Sequence, residues 1–481
     1  MMGFAVAPIK FGTDGWRGVI GADFTFERVV LLAPWAAKVL ETNYGQAGTK
    51  SRVIVGYDRR FMAEDFAQVA AEAIQAVGFD VLLSQSYAPT PAFSWAAKAH
   101  NAVGAIVLTA SHNPARYLGL KVKGAFGGSV APEITQQIEA LIPQGQVAPT
   151  TPGTLELFDP WESYCQGLQA LVDVTKIRGA IASGKARVFA DAMHGAAATG
   201  LERLLGIEIE ELNGDRDPLF NGGAPEPLEK NVGEFLSTIR QAATENPEQL
   251  RIGLVFDGDC DRIAASDGQG NFLSSQLLIP ILIEHLAQRR GKTGEVVKTV
   301  SGSDLIPKVA DLYGLSLYQT PIGYKYIGDR MLKSHVLLGG EESGGIGYGH
   351  HIPERDALLS ALYVLEAAIE SGQDLSQLYQ SLQKRTDFYS EYDRIDLPLP
   401  NMQARQKLLD SLTQNPIQAV AGQKVVDCLT VDGYKFRLAD NRWLLIRFSG
   451  TEPVLRLYCE AATSDRVQET LEWARNWANS V

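Results

Sequence analysis

The sequence predicts an α/β protein, with several βαβ-type domains in series followed by a smaller α+β tail. Three observations lead there. Short β-rich runs alternate with longer helical patterns along most of the 481 residues. Strands separated by helices of that length imply βαβ units and mostly parallel sheets. The hydrophobic fraction of 45% and charged fraction of 21% suit ordinary packed cores. Past residue 387 the rhythm changes to closely spaced strands, which reads as antiparallel.

In chain order, 52–58 (RVIVGYD) reads as a buried strand, 63–77 as a helix, 80–83 as a strand and 103–108 as a strand apolar throughout. The same rhythm returns at 186–191, 251–256, 295–300 and 336–338. No tight sequence repeat accompanies it, so duplication of one domain type is a suspicion only. The stretch 143–159, rich in Pro, Gly and Thr, reads as a boundary, as does the switch at 383–387 and a fainter one near 266. In the tail, a Pro-punctuated 396–402 leads to a helix, then strands at 424–429, 433–438, 443–448 and 454–461, then a helix from Ser464. The early segment Phe11-Gly12-Thr13-Asp14-Gly15-Trp16-Arg17-Gly18 carries too many glycines and polar groups for a strand centre.

The net charge of −12 argues against coating nucleic acid or an anionic membrane. No run approaches the roughly 20 apolar residues of a membrane span. The N-terminus lacks the basic and apolar regions of a signal peptide. Cys165, Cys260, Cys428 and Cys459 form no metal-type spacing. A reduced cytoplasmic protein is expected.

Four motifs carry chemistry. Thr109-Ala110-Ser111-His112-Asn113-Pro114 follows an apolar strand, where ligands of open α/β sheets bind. Ser111 there is a nucleophile or phosphoryl carrier, or the loop is a polar helix cap. Asp257-Gly258-Asp259-Cys260-Asp261-Arg262 places three carboxylates at alternate positions, costly without a cation among them. Mg²⁺ or Ca²⁺ suits such hard ligands, against the bland reading of a solvated acidic turn. An EF-hand fails, because its sixth and twelfth positions would be Arg262 and Gly268. Gly339-Gly340-Glu341-Glu342-Ser343-Gly344-Gly345 offers carboxylates and a hydroxyl to sugar hydroxyls, or is a flexible loop. Arg447-Phe448-Ser449-Gly450-Thr451-Glu452-Pro453 is a phosphate cradle or a turn between strands. Arg17 could reach a phosphate or pair with Asp14.

Taken together and in this order, the motifs resemble the α-D-phosphohexomutase superfamily along essentially the whole chain. The resemblance implies four domains around a central cleft: 1–155 with a phosphoserine loop, 156–266 with a metal loop, 267–387 with a sugar loop, and the α+β domain 388–481 with a phosphate loop. It implies a phosphoserine at Ser111 and Mg²⁺ on Asp257, Asp259 and Asp261, with Ser111 bridging to the metal. It places Glu341 and Ser343 on the sugar, and Arg447, Ser449, Gly450 and Thr451 on its phosphate, with Arg17 and Arg262 also binding substrate. Lys121, in Gly119-Leu120-Lys121-Val122, takes the place of a catalytic lysine. It is a candidate base if neighbouring positive charge lowers its pKa, and His112 is the runner-up. Ser111 is expected to be an exposed loop residue. Cys260 stands where the family more usually has Gly, and adds a thiol open to oxidation.

The GEESG loop and Gly323-Tyr324-Lys325 look most like the glucose-specific members, with Lys325 and Arg355 helping to place the phosphosugar. The implied reaction interconverts glucose 1-phosphate and glucose 6-phosphate through glucose 1,6-bisphosphate. A dual glucose/mannose mutase, a phosphatase or sugar-bisphosphate synthase on the same chemistry, and a non-catalytic phosphosugar binder are the alternatives. The expected partner is a small phosphosugar, with neither nucleic acid nor membrane, and the chain is expected as a monomer or dimer.

Overall fold

A computed structural model describes residues 8–12, 14–449 and 453–480. Four sheets follow one another along the chain. In the first, Gly104–Leu108, Arg52–Tyr57, Asp80–Ser84 and Leu155–Phe158 run parallel. Tyr117–Gly124 then turns back antiparallel against Gly104–Leu108. In the second, Glu210–Leu212, Ala186–Asp191 and Leu250–Phe256 run parallel, and Ile263–Ser266 turns back. In the third, Leu317–Thr320, Glu295–Thr299 and Val336–Gly340 run parallel, and Ile346–Tyr348 turns back.

The three sheets therefore share one plan, in which the border strand of the parallel run enters a hairpin. The serine, aspartate and glutamate loops all occupy that hairpin. Shared topology supports the suspected duplication where local sequence showed no repeat. The border strands Gly104–Leu108 and Val336–Gly340 are buried at every residue, as central strands covered on both faces must be.

The fourth sheet is antiparallel throughout. Helices Met402–Gln414 and Ser464–Ser480 cover it, with Leu408, Leu412 and Leu471 packed among Leu444, Ile446, Leu455 and Leu457. This is the α+β tail that the sequence predicts.

Several local expectations are corrected. Gly15–Val19 is a strand, paired with Tyr117–Gly124. Its burial alternates, with Trp16 and Gly18 inward, so its glycines and polar residues fall on the outer face or on tight backbone contacts. Leu155–Phe158 belongs to the first sheet and Phe272–Leu273 to the second, so those sheets run past the expected boundaries at 155 and 266. Glu391–Pro398 is a strand paired along its length with Val454–Ala461, although its Pro punctuation hid it. Its Pro398 closes the strand, where a missing N–H is tolerated. Among the described residues no helix is long and apolar enough to cross a membrane. All four cysteines are free.

Candidate active site

The serine and aspartate loops meet at backbone distance. Gly258 allows it, since a Cβ there would stand 2.5 Å from the Ser111 carbonyl oxygen. Ser111 Oγ donates to Asp257 Oδ2 at 3.0 Å and lies 3.3 Å from His112 Nδ1. Ser111 is 1% exposed, not the surface residue expected, because the aspartate loop covers it. His112 and Asn113, its neighbours, line the open cleft.

Asp257, Asp259 and Asp261 are fully buried, and each offers an oxygen within 4.8 Å of the others'. Asp257 Oδ1 accepts the Asp261 and Arg262 amides at 2.9 and 3.0 Å. Asp259 Oδ1 and Asp261 Oδ1 are buried with no hydrogen-bond partner. Orphaned buried carboxylate oxygens are costly, and a hard divalent cation is the ligand such a donor set fits. Burial and then the charges of Asp261 and Asp259 push the Asp257 carboxyl well above the usual range. Burial also works to raise Asp259, but the Lys121 charge and hydrogen bond outweigh it and hold this carboxyl low.

Lys121 is 1% exposed and sits among Asp14 Oδ2 at 2.8 Å, Asp259 Oδ2 at 2.8 Å and Asp261 Oδ2 at 2.9 Å. Burial acts to lower its pKa, but the three carboxylates overcome it and raise it above the ordinary lysine value. That is the reverse of the shift a general base needs, so the expected lowering is corrected: Lys121 is held as an ammonium. His112 behaves oppositely. Burial, then the charges of Arg262, Arg17, Lys121 and Arg355, push its pKa well below the ordinary value, leaving a neutral imidazole.

Asp14, inside the early motif, is the residue that sequence reasoning undervalued. It does not pair with Arg17, which donates instead to Asn113 Oδ1 at 2.6 Å. Asp14 binds Lys121, Lys123 and, at 2.6 Å, Arg355. Arg355 also reaches Asp261 at 2.6 Å and Glu341 at 3.8 Å. Its guanidinium thus ties the first three domains together at the wall of the cleft.

A cavity of about 630 Å³ opens beside these groups, lined by residues of all four domains. Arg17, Arg262, Lys325, Glu341, Ser343, Arg355 and Arg447 line it as expected, and Asp14, Glu342, Arg394 and Arg456 join them. Arg262 is only loosely paired, with carboxylates at 3.9 to 4.0 Å. Lys325 Nζ lies 5.0 Å from the Tyr326 ring centre. Arg447 pairs with Asp432 at 3.1 Å and stands directly across the sheet from Arg456. Like charges opposed on one sheet face are unfavourable unless an anion joins them. Arg456 was missed, although nine residues past Arg447 on the next strand is where a hairpin returns. Ser449 is buried and its carbonyl accepts from Arg405 at 3.0 Å. Gly450 and Thr451 lie outside the described residues.

Glu341 accepts the Gly323 amide at 3.0 Å, linking the glutamate loop to the Gly323-Tyr324-Lys325 turn. Burial pushes its carboxyl up to about 7, against the opposing pull of Arg355. A carboxyl raised on folding favours the native state below its unfolded pKa, and that contribution is lost as pH rises through the folded value. Stability of the wild type is therefore expected to carry a falling component from about pH 4.5 to 7, and Glu341→Gln to remove it. Denaturant titrations of both proteins across that interval check this; identical slopes would refute it.

Cys260 adopts φ of 57°, in the left-handed region, which explains why a glycine would be at ease there. It is wholly buried, and burial pushes its thiol well above the ordinary value. An inaccessible thiol of high pKa is inert, so the expected susceptibility to oxidation is corrected.

Known proteins match over nearly the whole chain. Models described as phosphoglucomutase/phosphomannomutase alpha/beta/alpha domains I, II and III match residues 8–148, 162–270 and 274–386, and the C-terminal domain model matches 402–475. The chain is 27% identical to a phosphoglucomutase/phosphomannomutase of Thermococcus kodakarensis, covering 96% of each. It is 28% identical to a phosphoglucosamine/phosphogalactosamine mutase of Sulfurisphaera tokodaii, covering 94% of this chain and 95% of that one. The crystal structure of a candidate phosphomannomutase from Thermus thermophilus is similar at a TM-score of 0.84 and 33% identity, covering 98% of this chain and 100% of that one.

Proposed function

The chain belongs to the phosphoglucomutase/phosphomannomutase family and is a phosphohexomutase, and we propose that its substrate pair is glucose 1-phosphate and glucose 6-phosphate. The observation that carries this reading is one cleft lined by Lys325, Glu341, Ser343, Arg355 and Arg447, with His112 and Asn113, the chain neighbours of Ser111, on its wall. Glu341, with its carboxyl near 7, presents both donor and acceptor forms at neutral pH, which suits neutral hydroxyls.

In this reading Ser111 carries the phosphoryl group. Arg447 and Ser449 grip the phosphate already on the sugar, with Arg456 adjoining. The sugar's free hydroxyl oxygen bonds to phosphorus as the bond from phosphorus to Ser111 Oγ breaks. The hydroxyl proton passes through the neutral His112 imidazole to Ser111 Oγ. Glucose 1,6-bisphosphate results, turns about, and returns its other phosphoryl group to Ser111. Magnesium held by Asp257, Asp259 and Asp261 would supply charge neutralisation for the transferring group. Arg17 and Arg262 add fixed positive charge beside it.

A second reading is favoured by the Glu341–Glu342 pair together with the glucosamine-active names among the relatives. Two carboxylates could hold an ammonium at C2. A coupled assay of glucose, mannose and glucosamine 1-phosphates, with Mg²⁺ and the matching bisphosphate, decides. The expected kcat/KM for glucose exceeds the others by about tenfold or more, the scale of a few polar contacts. Equal rates for mannose would make the enzyme dual, and preference for glucosamine would overturn the reading.

A further inference from the structure

Ser111 has φ of 53°, a conformation that persists only where its surroundings impose it. Its amide donates to Thr109 Oγ1 at 2.9 Å, and that hydroxyl donates to Asp58 Oδ2 at 2.5 Å. Its carbonyl accepts from Arg60 Nη2 at 2.5 Å. The same guanidinium donates to the carbonyls of Asn113 at 2.6 Å, Pro114 at 3.2 Å and Tyr117 at 3.1 Å. Arg60 is fully buried, its Nε lies 3.4 Å from Asp58, and its guanidinium carbon stands 4.8 Å from the Phe220 ring centre. Phe220 comes from the second domain, on the loop whose Pro225 carbonyl accepts the Gly258 amide at 3.1 Å. One loop thus braces both the serine and the aspartate hairpins.

We propose that Arg60 is a positioning residue, whose planar fork, seated on Phe220, fixes residues 111–117 and thereby the direction of the Ser111 hydroxyl. The inference rests on the reading of Ser111 as phosphoryl carrier. Four carbonyls at different bearings demand a rigid fork. A lysine keeps the charge beside Asp58 but donates from a single nitrogen. Arg60→Lys therefore separates geometry from charge, and Phe220→Leu removes the ring face while keeping apolar bulk.

The test uses the full chain of wild type, Arg60→Lys and Phe220→Leu. Each is treated with glucose 1,6-bisphosphate, its phosphoenzyme is quantified by intact mass, and transfer to glucose 1-phosphate is timed by rapid quench. Transfer per phosphoenzyme is expected to slow by about tenfold or more in Arg60→Lys, since small misplacements cost that much, with KM unchanged. In Phe220→Leu about a threefold slowing is expected from loss of the cation–π contact. Amide exchange is expected to accelerate over residues 109–117 in both variants and not in the remaining hairpins. Wild-type transfer per phosphoenzyme, or unaltered exchange at 109–117, overturns the positioning role. A wild type that takes no phosphoryl group overturns the carrier reading instead, and the exchange measurement still decides for or against Arg60.

Discussion

Ser111→Ala is expected to abolish turnover and to leave the fold standing. With no oxygen to carry the phosphoryl group, the loss should reach at least about a thousandfold, the scale seen when a nucleophile is removed. The stability cost should be small for a specific reason. The side chain contributes one hydroxyl, bonded to Asp257 at 3.0 Å, and alanine meets the same backbone cost at φ of 53° as serine does. Losing one such hydrogen bond costs about 1 kcal/mol. The neighbouring Gly258 backbone, which packs on the Ser111 carbonyl, is untouched. The coupled assay gives the rate, a thermal melt gives the stability, and intact mass after exposure to glucose 1,6-bisphosphate shows whether a phosphoryl group is gained. Full activity in the variant would remove Ser111 from the reaction, and an unfolded variant would show that its role is structural.

The residues legible in the sequence are those whose types have few other uses in a hairpin after a buried strand. Alternating aspartates after Leu250–Phe256 are such a pattern, since their repulsion needs a compensating charge. What stayed hidden was pairing at long range. Nothing local in the sequence shows Asp14 and Arg355, 341 residues apart, in one ion pair. Without Asp14, the sign of the Lys121 shift is misjudged, because the expected cation and neighbouring arginines suggest repulsion where three carboxylates dominate. The strand Gly15–Val19 was hidden by its glycines, although its burial alternates in the ordinary way. Arg60 was hidden for a related reason: a buried arginine bonded to backbone carbonyls leaves no motif, because carbonyls carry no sequence.

Lys121→Met is expected to produce the largest loss of stability of any single change in the cleft, and to make it depend on magnesium. The ammonium neutralises Asp14, Asp259 and Asp261 at 2.8 to 2.9 Å, at a site 1% exposed. Methionine fills a similar volume and supplies no charge. Removing one partner of a buried ion pair costs about 3–5 kcal/mol, and Arg355, which holds Asp14 and Asp261, offsets part of it. In EDTA the variant's first melting transition should therefore fall well below that of wild type. A divalent cation on the aspartates replaces part of the missing positive charge, so its affinity should rise in the variant. Ligand binding to the native state alone stabilises by RT ln(1 + [L]/Kd). Added Mg²⁺ should accordingly raise the variant's melting temperature more than that of wild type. Equal increments in the two proteins would mean that Lys121 and the cation do not share these carboxylates. Unequal increments would tie the lysine's charge to the occupancy of the aspartate loop, and would explain why an ammonium, rather than a neutral base, stands at this position.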